Sequence, residues 1–320
     1  MLAPENNFYR EQALDCISKC ITVDLFIAVN TKKQSLDVAT MAPITGITGG
    51  DLYLYPDFDV LQHGEKLYYQ IFRNLTRVSV SDVMIKLRVS TGLTVTEYFG
   101  QFGSYAQSEF GVASLDQDKV FSAVMRCDQT LAEGTPVFAQ CATLYTDPMG
   151  ERKIRILNYH WKAAQNVYNY CRSADVESVS QFKLRHDLIQ VTKLGAKGTK
   201  EKVINDLVEM LTNYRNTCAN QTSPSQLVLP ETLTVLPLYI LSSLKLPALK
   251  LLTQSFLDTK VAQVQNLLSL SMEQMSYELH PHIYKVTDIG LSDAYGHTDD
   301  ATELIVKPHC LPCRGSKLSH

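Results

Sequence analysis

Two changes in hydrophobic period divide this chain into stretches that cannot share one architecture. From about residue 78 to 161 the apolar side chains fall at every second position. Val83, Ile85, Leu87 and Val89 alternate with Met84, Lys86, Arg88 and Ser90, the pattern of a strand with one covered face. Residues 120–125, 137–145 and 152–158 read as further short strands between Gly, Asp and Pro reversals, and an antiparallel sandwich fits them. From about 166 to 278 the spacing becomes helical. It is clearest in Val203, Leu207, Met210, Leu211 and Tyr214 and in Val261, Val264, Leu267, Leu268 and Met275, with Pro230, Pro237 and Pro247 breaking the stretch between them.

Before residue 78 helix and strand alternate. A helix is predicted over 8–19, then a strand over 21–29, where Ile-Thr-Val-Asp-Leu-Phe-Ile-Ala-Val is almost continuously apolar, as a strand covered on both faces would be. A short helical stretch ends in Thr48-Gly49-Gly50, whose glycines permit a tight turn into a second strand over 51–55. Leu67, Tyr68, Ile71, Phe72 and Leu75 then recur at helical spacing. Two strands make only part of a doubly wound sheet, so this region is expected to belong to a larger α/β domain. At the other end, 282–286 and 303–306 read as short strands flanking a polar loop, and 216–225 as an exposed loop.

Charge and motifs narrow the function classes. The 320 residues carry 30 basic and 33 acidic side chains, a net −3, so no overall basic field favours nucleic acid. With 45% hydrophobic and 20% charged residues the chain can bury a sizeable core. No G-x-x-x-x-G-K-[ST], G-x-G-x-x-G, H-E-x-x-H or G-x-S-x-G occurs. The eight cysteines, Cys16, Cys20, Cys127, Cys141, Cys171, Cys218, Cys310 and Cys313, sit mostly in apolar elements, and the start of the chain lacks the basic flank and apolar run of a secretory signal. A reduced, cytosolic protein is expected, with the sequons at Asn74 and Asn220 unglycosylated.

Few residues are candidates for chemistry. His309, Cys310, Cys313 and His320 offer a C-x-x-C pair with nearby imidazoles, but one such pair beside a proline reads more simply as ordinary cysteines than as a metal knuckle. His280 and His282 flank Pro281 in a loop entering a strand. Lys86 and Arg88 stand at i and i+2 of one strand, so both cations project from one face about 6.6 Å apart, a spacing suited to peptide carboxylates. Lys153 and Arg155 repeat the arrangement after an Asp147-Pro-Met-Gly150 reversal. The plain alternative is a solvated outer sheet face.

The segment 140–156, Gln-Cys-Ala-Thr-Leu-Tyr-Thr-Asp-Pro-Met-Gly-Glu-Arg-Lys-Ile-Arg-Ile, resembles the Q-x-A-x-L-Y-T-x-x-x-G-x-R-R-I-R-V signature of the Sec24 family, the cargo-adaptor subunit of the COPII vesicle coat. Further matches run in order along the chain: Val-Asp-Leu-Phe at 23–26, Thr48-Gly-Gly50, Tyr55-Pro-Asp-Phe58, Lys86-Leu-Arg88-Val-Ser-Thr-Gly92, Tyr98-Phe-Gly-Gln-Phe102 and Asn166-Val-Tyr-Asn-Tyr-Cys-Arg-Ser-Ala-Asp175. Tyr214-Arg-Asn-Thr-Cys-Ala and Val235-Leu-Pro-Leu-Tyr239 are similar to the C/D-type paralogues. The resemblance implies a multidomain fold: the C-terminal part of a von Willebrand A-like trunk over 1–77, an antiparallel β-sandwich over 78–163, an all-helical domain over 164–279, and over 280–320 a returning sandwich strand and the approach to a gelsolin-like domain.

It also implies a role without catalysis: a subunit that pairs with a GTPase-activating sister subunit, lies on the endoplasmic-reticulum membrane at exit sites with a Sar-type small GTPase, meets the outer coat indirectly, and captures sorting signals on the cytosolic tails of cargo and membrane-fusion proteins. Localisation would be cytoplasmic and peripheral to membrane, with no nucleic-acid partner. Signal binding is implied for Lys86 and Arg88, on the strand matching R-x-R-x-S-x-G, with Leu144 and Tyr145 nearby and Lys153 and Arg155 as the second cation pair. Lys at the first position keeps the charge but loses the planar fork of Arg. No cofactor is expected within the chain, since the family's zinc ribbon and first trunk half would precede residue 1; the gelsolin-like domain would follow Arg314-Gly-Ser-Lys-Leu-Ser319. The alternative is the sister subunit, which supplies an arginine to the GTPase in trans; a von Willebrand A ligand module would need an Asp-x-Ser-x-Ser metal site.

Overall fold

The computed structural model of the protein describes residues 3–30, 36–106, 109–218, 229–249, 257–285 and 304–308. Its N-terminal layer is built on two parallel strands, β1 (Leu25–Val29) and β2 (Leu52–Pro56), flanked by α1 (Phe8–Ser18), α2 (Val38–Thr48) and α3 (Val60–Thr76). Leu25, Ile27, Leu52 and Leu54 turn one face of the pair toward Val38, Ala39 and Ala42 of α2 and toward Val261 and Ala262 of a later helix. On the other face Phe26 stacks on Tyr53, whose hydroxyl bonds Asn74 of α3 at 3.2 Å.

β1 begins four residues later than its apolar run. Cys20 is left-handed, Ile21 N–H donates back to the Cys16 carbonyl, Val23 N–H donates to Thr48 Oγ1, and the Asp24 carboxylate accepts from Asp51 N–H at 2.7 Å. Helix ends and side chains thus take polar groups that a ladder would need. At the α2–β2 turn Gly49 holds φ +84, and a Cβ on Gly50 would stand 2.0 Å from the Val23 carbonyl oxygen.

The sandwich follows directly. One sheet has the order β5 (Gly103–Ala106), β6 (Glu109–Asp116), β3 (Ser79–Val89), β8 (Pro136–Thr146), β9 (Arg152–Lys162); the other pairs β4 (Leu93–Phe99) with β7 (Ser122–Cys127). Between them lie Val83, Ile85, Phe110 and Val112, ringed by Tyr98, Phe102, Phe121, Cys141 and Tyr145. The strand expected over 120–125 forms two residues later as β7, and β4, β5 and β6 were not legible as separate strands.

The helical region comprises α4 (Val167–Arg172), α5 (Val176–Cys218), a 3-10 turn at Glu231–Leu233, α6 (Leu236–Leu244), α7 (Leu257–Ser269) and α8 (Met272–Leu279). α5 is broken at Gly195, whose φ of 70° and ψ of 171° end one helix and start another. Leu184, Leu188 and Val191 of its first half pack with Tyr239, Leu246, Leu249, Val264, Leu267, Met275 and Leu279. β10 (Pro281–Lys285) and β11 (Leu304–Pro308) pair antiparallel with each other. Among the described residues β10 is paired with β11 and with neither sandwich sheet, and most of the rest of 280–320, where a returning sandwich strand is expected, lies outside the described residues. Among the described residues no helix is long and apolar enough to cross a membrane.

Candidate functional site

Register decides which candidate residues can act together. On β3, Val83 and Ile85 are buried while Met84 and Arg88 are exposed; on β8, Val137 and Ala139 are buried while Phe138 is exposed. Pairing then aligns three rows across the outer face: Met84 with Leu144 and Ile154, Lys86 with Ala142 and Ile156, and Arg88 with Gln140 and Asn158. Rows lie about 6.6–7 Å apart along the strands, and neighbouring strands about 4.8 Å apart. Ala142, the smallest of these side chains, sits between Leu144, Ile156 and Lys86, so the face carries a shallow notch rimmed by aliphatic groups and one cation.

The two cations of this face differ. The Lys86 ammonium is ion-paired with the Glu109 carboxylate, which β6 places directly opposite it. Arg88 is exposed and makes one long contact, Nη1 donating to Gln140 Oε1 at 3.4 Å, while Gln140 Nε2 donates to Asn158 Oδ1 at 2.9 Å. That cross-strand chain holds the amide oxygen toward the guanidinium and leaves most of the fork's donors for a ligand. Of the two cations, Arg88 is thus the one with open donors, and Lys86 the one whose charge is balanced.

The other candidates do not share this face. Tyr145, Lys153 and Arg155 fall on the opposite parity, in rows Tyr145–Lys153 and Thr143–Arg155. Tyr145 packs against the interior cluster of Val83, Ile85, Phe110 and Val112. Of the residues expected to bind signals, these three therefore share no face with Lys86 and Arg88, because successive side chains of a strand point to opposite faces. Lys153 is held at the hairpin turn by Asp147 and Glu151, and the hydrogen bonds its ammonium donates to their carboxylates hold it well above the usual lysine range. Arg152, at the same turn, bonds Asp82 Oδ2 and the Asp82 carbonyl, each at 2.6 Å.

Met84, Gln140, Ala142, Ile154, Ile156 and Asn158 were not singled out from sequence, although the alternation of 153–156 with a register to β8 would have found the aliphatic ones. Glu109 had no such signal, since its role depends on the β3–β6 pairing. His309, Cys310, Cys313 and His320 lie outside the described residues, as does the side chain of His282; among the described residues no group of three or more His, Cys, Asp or Glu is placed to hold a metal ion.

Comparison with known proteins places this chain in a family. Three family models match in series: the Sec23/Sec24 trunk domain over residues 1–75, the Sec23/Sec24 beta-sandwich domain over 80–164 and the Sec23/Sec24 helical domain over 175–277. The chain belongs to the Sec23/Sec24 family. It is similar to protein transport protein SEC24 B of Arabidopsis thaliana, 31% identical over 293 residues, covering 92% of this chain and 26% of that protein. It is similar also to human Sec24C, 27% identical over 287 residues, covering 90% of this chain and 26% of the relative, and to human Sec24D, 26% identical over 319 residues, covering 100% and 30%. The crystal structure of the human COPII-coat protein Sec24c superposes with a TM-score of 0.80 at 26% identity, over 92% of this chain and 38% of that one. The chain spans between a quarter and a third of the length of these curated Sec24 relatives.

Proposed function

We propose that this chain acts as part of a cargo-selecting subunit of the COPII inner coat, binding sorting signals of membrane cargo for transport from the endoplasmic reticulum to the Golgi. Binding, not catalysis, is its work. The domain division proposed is trunk over 1–77, sandwich over 78–163, helical domain over 164–279 and a following segment over 280–320. Its partners in this reading are a GTPase-activating sister subunit, a Sar-type small GTPase, outer-coat subunits indirectly, and the cytosolic tails of cargo and membrane-fusion proteins, with the chain on the cytoplasmic side of the membrane. No cofactor is assigned to these residues.

The observation that carries the reading is the outer face of β3, β8 and β9, where an uncommitted guanidinium at Arg88 stands two rows from Met84, Leu144 and Ile154 and one row from the Ala142 notch. A short extended tail offering a carboxylate and aliphatic side chains complements it. A charge-assisted hydrogen bond contributes about 1.5–3 kcal/mol when well formed, and exposure takes the lower part of that range, so each site binds weakly. Many copies of a coat on one membrane turn weak sites into selective capture.

The test is binding of a fluorescent, end-capped peptide with one glutamate and flanking leucines to the 320-residue chain. Arg88→Gln is expected to weaken binding about tenfold, the equivalent of about 1.4 kcal/mol, and Leu144→Trp, which fills the notch, to weaken it as well. Unchanged affinity in both variants, with folding intact by circular dichroism, would sink the proposal.

A further inference from the structure

The Lys86–Glu109 pair raises a question that the proposed function leaves open, namely how many anionic groups the face can accept. Both side chains are about a third exposed, 35% for Lys86 and 30% for Glu109. An ion pair so placed contributes about 0–1 kcal/mol to stability. Its effect on the face is larger in kind, because it removes one full unit of positive charge from the position beside Arg88. Lys86 and Arg88 are i and i+2 on one strand, so an extended ligand with carboxylates two residues apart would otherwise set one acid on each cation.

We infer that Glu109 is a specificity-determining residue: by occupying Lys86 it makes the face a receptor for signals with one carboxylate and aliphatic neighbours, and discriminates against signals with two carboxylates at i and i+2. The inference rests on the proposed reading of this face. A second carboxylate arriving at Lys86 must either displace the Glu109 carboxylate or lie close beside it. Displacement forfeits the existing pair, and lying beside it adds like-charge repulsion; at about 5 Å and an effective dielectric of roughly 40 that repulsion amounts to about 1.7 kcal/mol. An aliphatic side chain entering at Ala142 meets no such penalty. Selection by an internal competitor is a repulsive element that the apolar rows alone would not supply. The geometry that makes this possible is two cross-strand pairings of one residue: Lys86 opposite Glu109 on the β6 side, and Lys86 opposite Ala142 on the β8 side.

The experiment titrates the 320-residue chain with two end-capped peptides that share the same leucines, one carrying a single glutamate and the other acidic residues at i and i+2. Glu109→Gln is expected to raise affinity for the two-carboxylate peptide about five- to tenfold and to move the one-carboxylate peptide less than twofold. The gain shrinks with added salt, as screening requires. Adding Lys86→Gln to Glu109→Gln restores net neutrality and is expected to abolish the gain. The exchanged pair, Lys86→Glu with Glu109→Lys, keeps neutrality and is expected to keep the discrimination of the unmodified chain, which controls for folding effects of the single variant. If Glu109→Gln leaves the ratio of the two affinities within twofold while Arg88→Gln still weakens both peptides, the role of Glu109 is overturned and the reading of the face stands. Loss of no peptide with Arg88→Gln overturns the reading itself.

Discussion

Arg185 shows how one side chain can be costly and necessary together. It is 3% exposed, and burial pushes its guanidinium down to about 10. Its Nη1 and Nη2 donate to the carbonyls of Leu268 and Leu270 at 2.9 and 2.7 Å, satisfying acceptors that the end of α7 leaves without intrahelical partners, while Nε is buried with none. The negative end of the helix dipole offsets part of the charge's burial. Arg185→Met removes the charge but strands both carbonyls, each worth about 1–3 kcal/mol when buried and unpaired. The expected result is a loss of about 2–4 kcal/mol, read as a lower urea midpoint; an unchanged or higher midpoint would mean the carbonyls find water and the arginine was only a burden.

At the scale of the element, the sequence carried period well and partnership poorly. The alternation of 83–90 was legible because each strand residue reports its own face. Lys153 and Arg155 were equally legible as a pair on one face of β9, but that face could not be matched to the face of Lys86 and Arg88 without knowing that Lys153 opposes Tyr145. β4 is hard to read because its alternation is interrupted by a register shift between Val95 and Glu97, and β5 and β6 because close packing and near-complete burial override side-chain pattern. Gly103 is fixed by α1, whose Ile17 Cδ1 would stand 2.4 Å from a Cβ there, and β6 has Phe110, Val112 and Ala113 all buried, blurring its alternation. With β6 unread, Glu109 could not be placed opposite Lys86. The helical spacing of 166–278 was clear, yet it gave no sign that α5 would break at Gly195, an isolated glycine with nothing within 4 Å of a built Cβ and a φ of +70.

For the molecule as a whole, the N-terminal layer is locked to the sandwich by four buried charges. Asp51, just before β2, pairs with Arg77 at 2.8 Å and Lys119 at 2.8 Å, and Arg77 also pairs with Asp116 at 2.9 Å. Burial alone would raise the Asp51 carboxyl, but Lys119 and Arg77 outweigh it and hold it below its ordinary 3.8. A carboxylate depressed in the folded state contributes stability that is fully present above its unfolded value, near pH 4, and is lost as pH falls through the lower folded value. Asp51→Asn is therefore expected to cost about 3–5 kcal/mol at neutral pH, the usual range for removing one partner of a buried pair. The difference from the unmodified chain should shrink in thermal melts taken below pH 4; a difference constant with pH would mean that the network is not what couples the two units.

The claim on which the functional account turns is that signals dock on one particular side of the β3–β8–β9 sheet. The most direct measurement is photo-crosslinking of a glutamate- and leucine-containing peptide, with a photoreactive group beside its carboxylate, followed by mass-spectrometric mapping of the adducts. Adducts at Met84, Ala142, Leu144, Ile154 or Ile156, competed away by unlabelled peptide and lost with Arg88→Gln, are the predicted result. Adducts confined to Leu157, Tyr159 and Trp161, on the opposite face of β9, would contradict it.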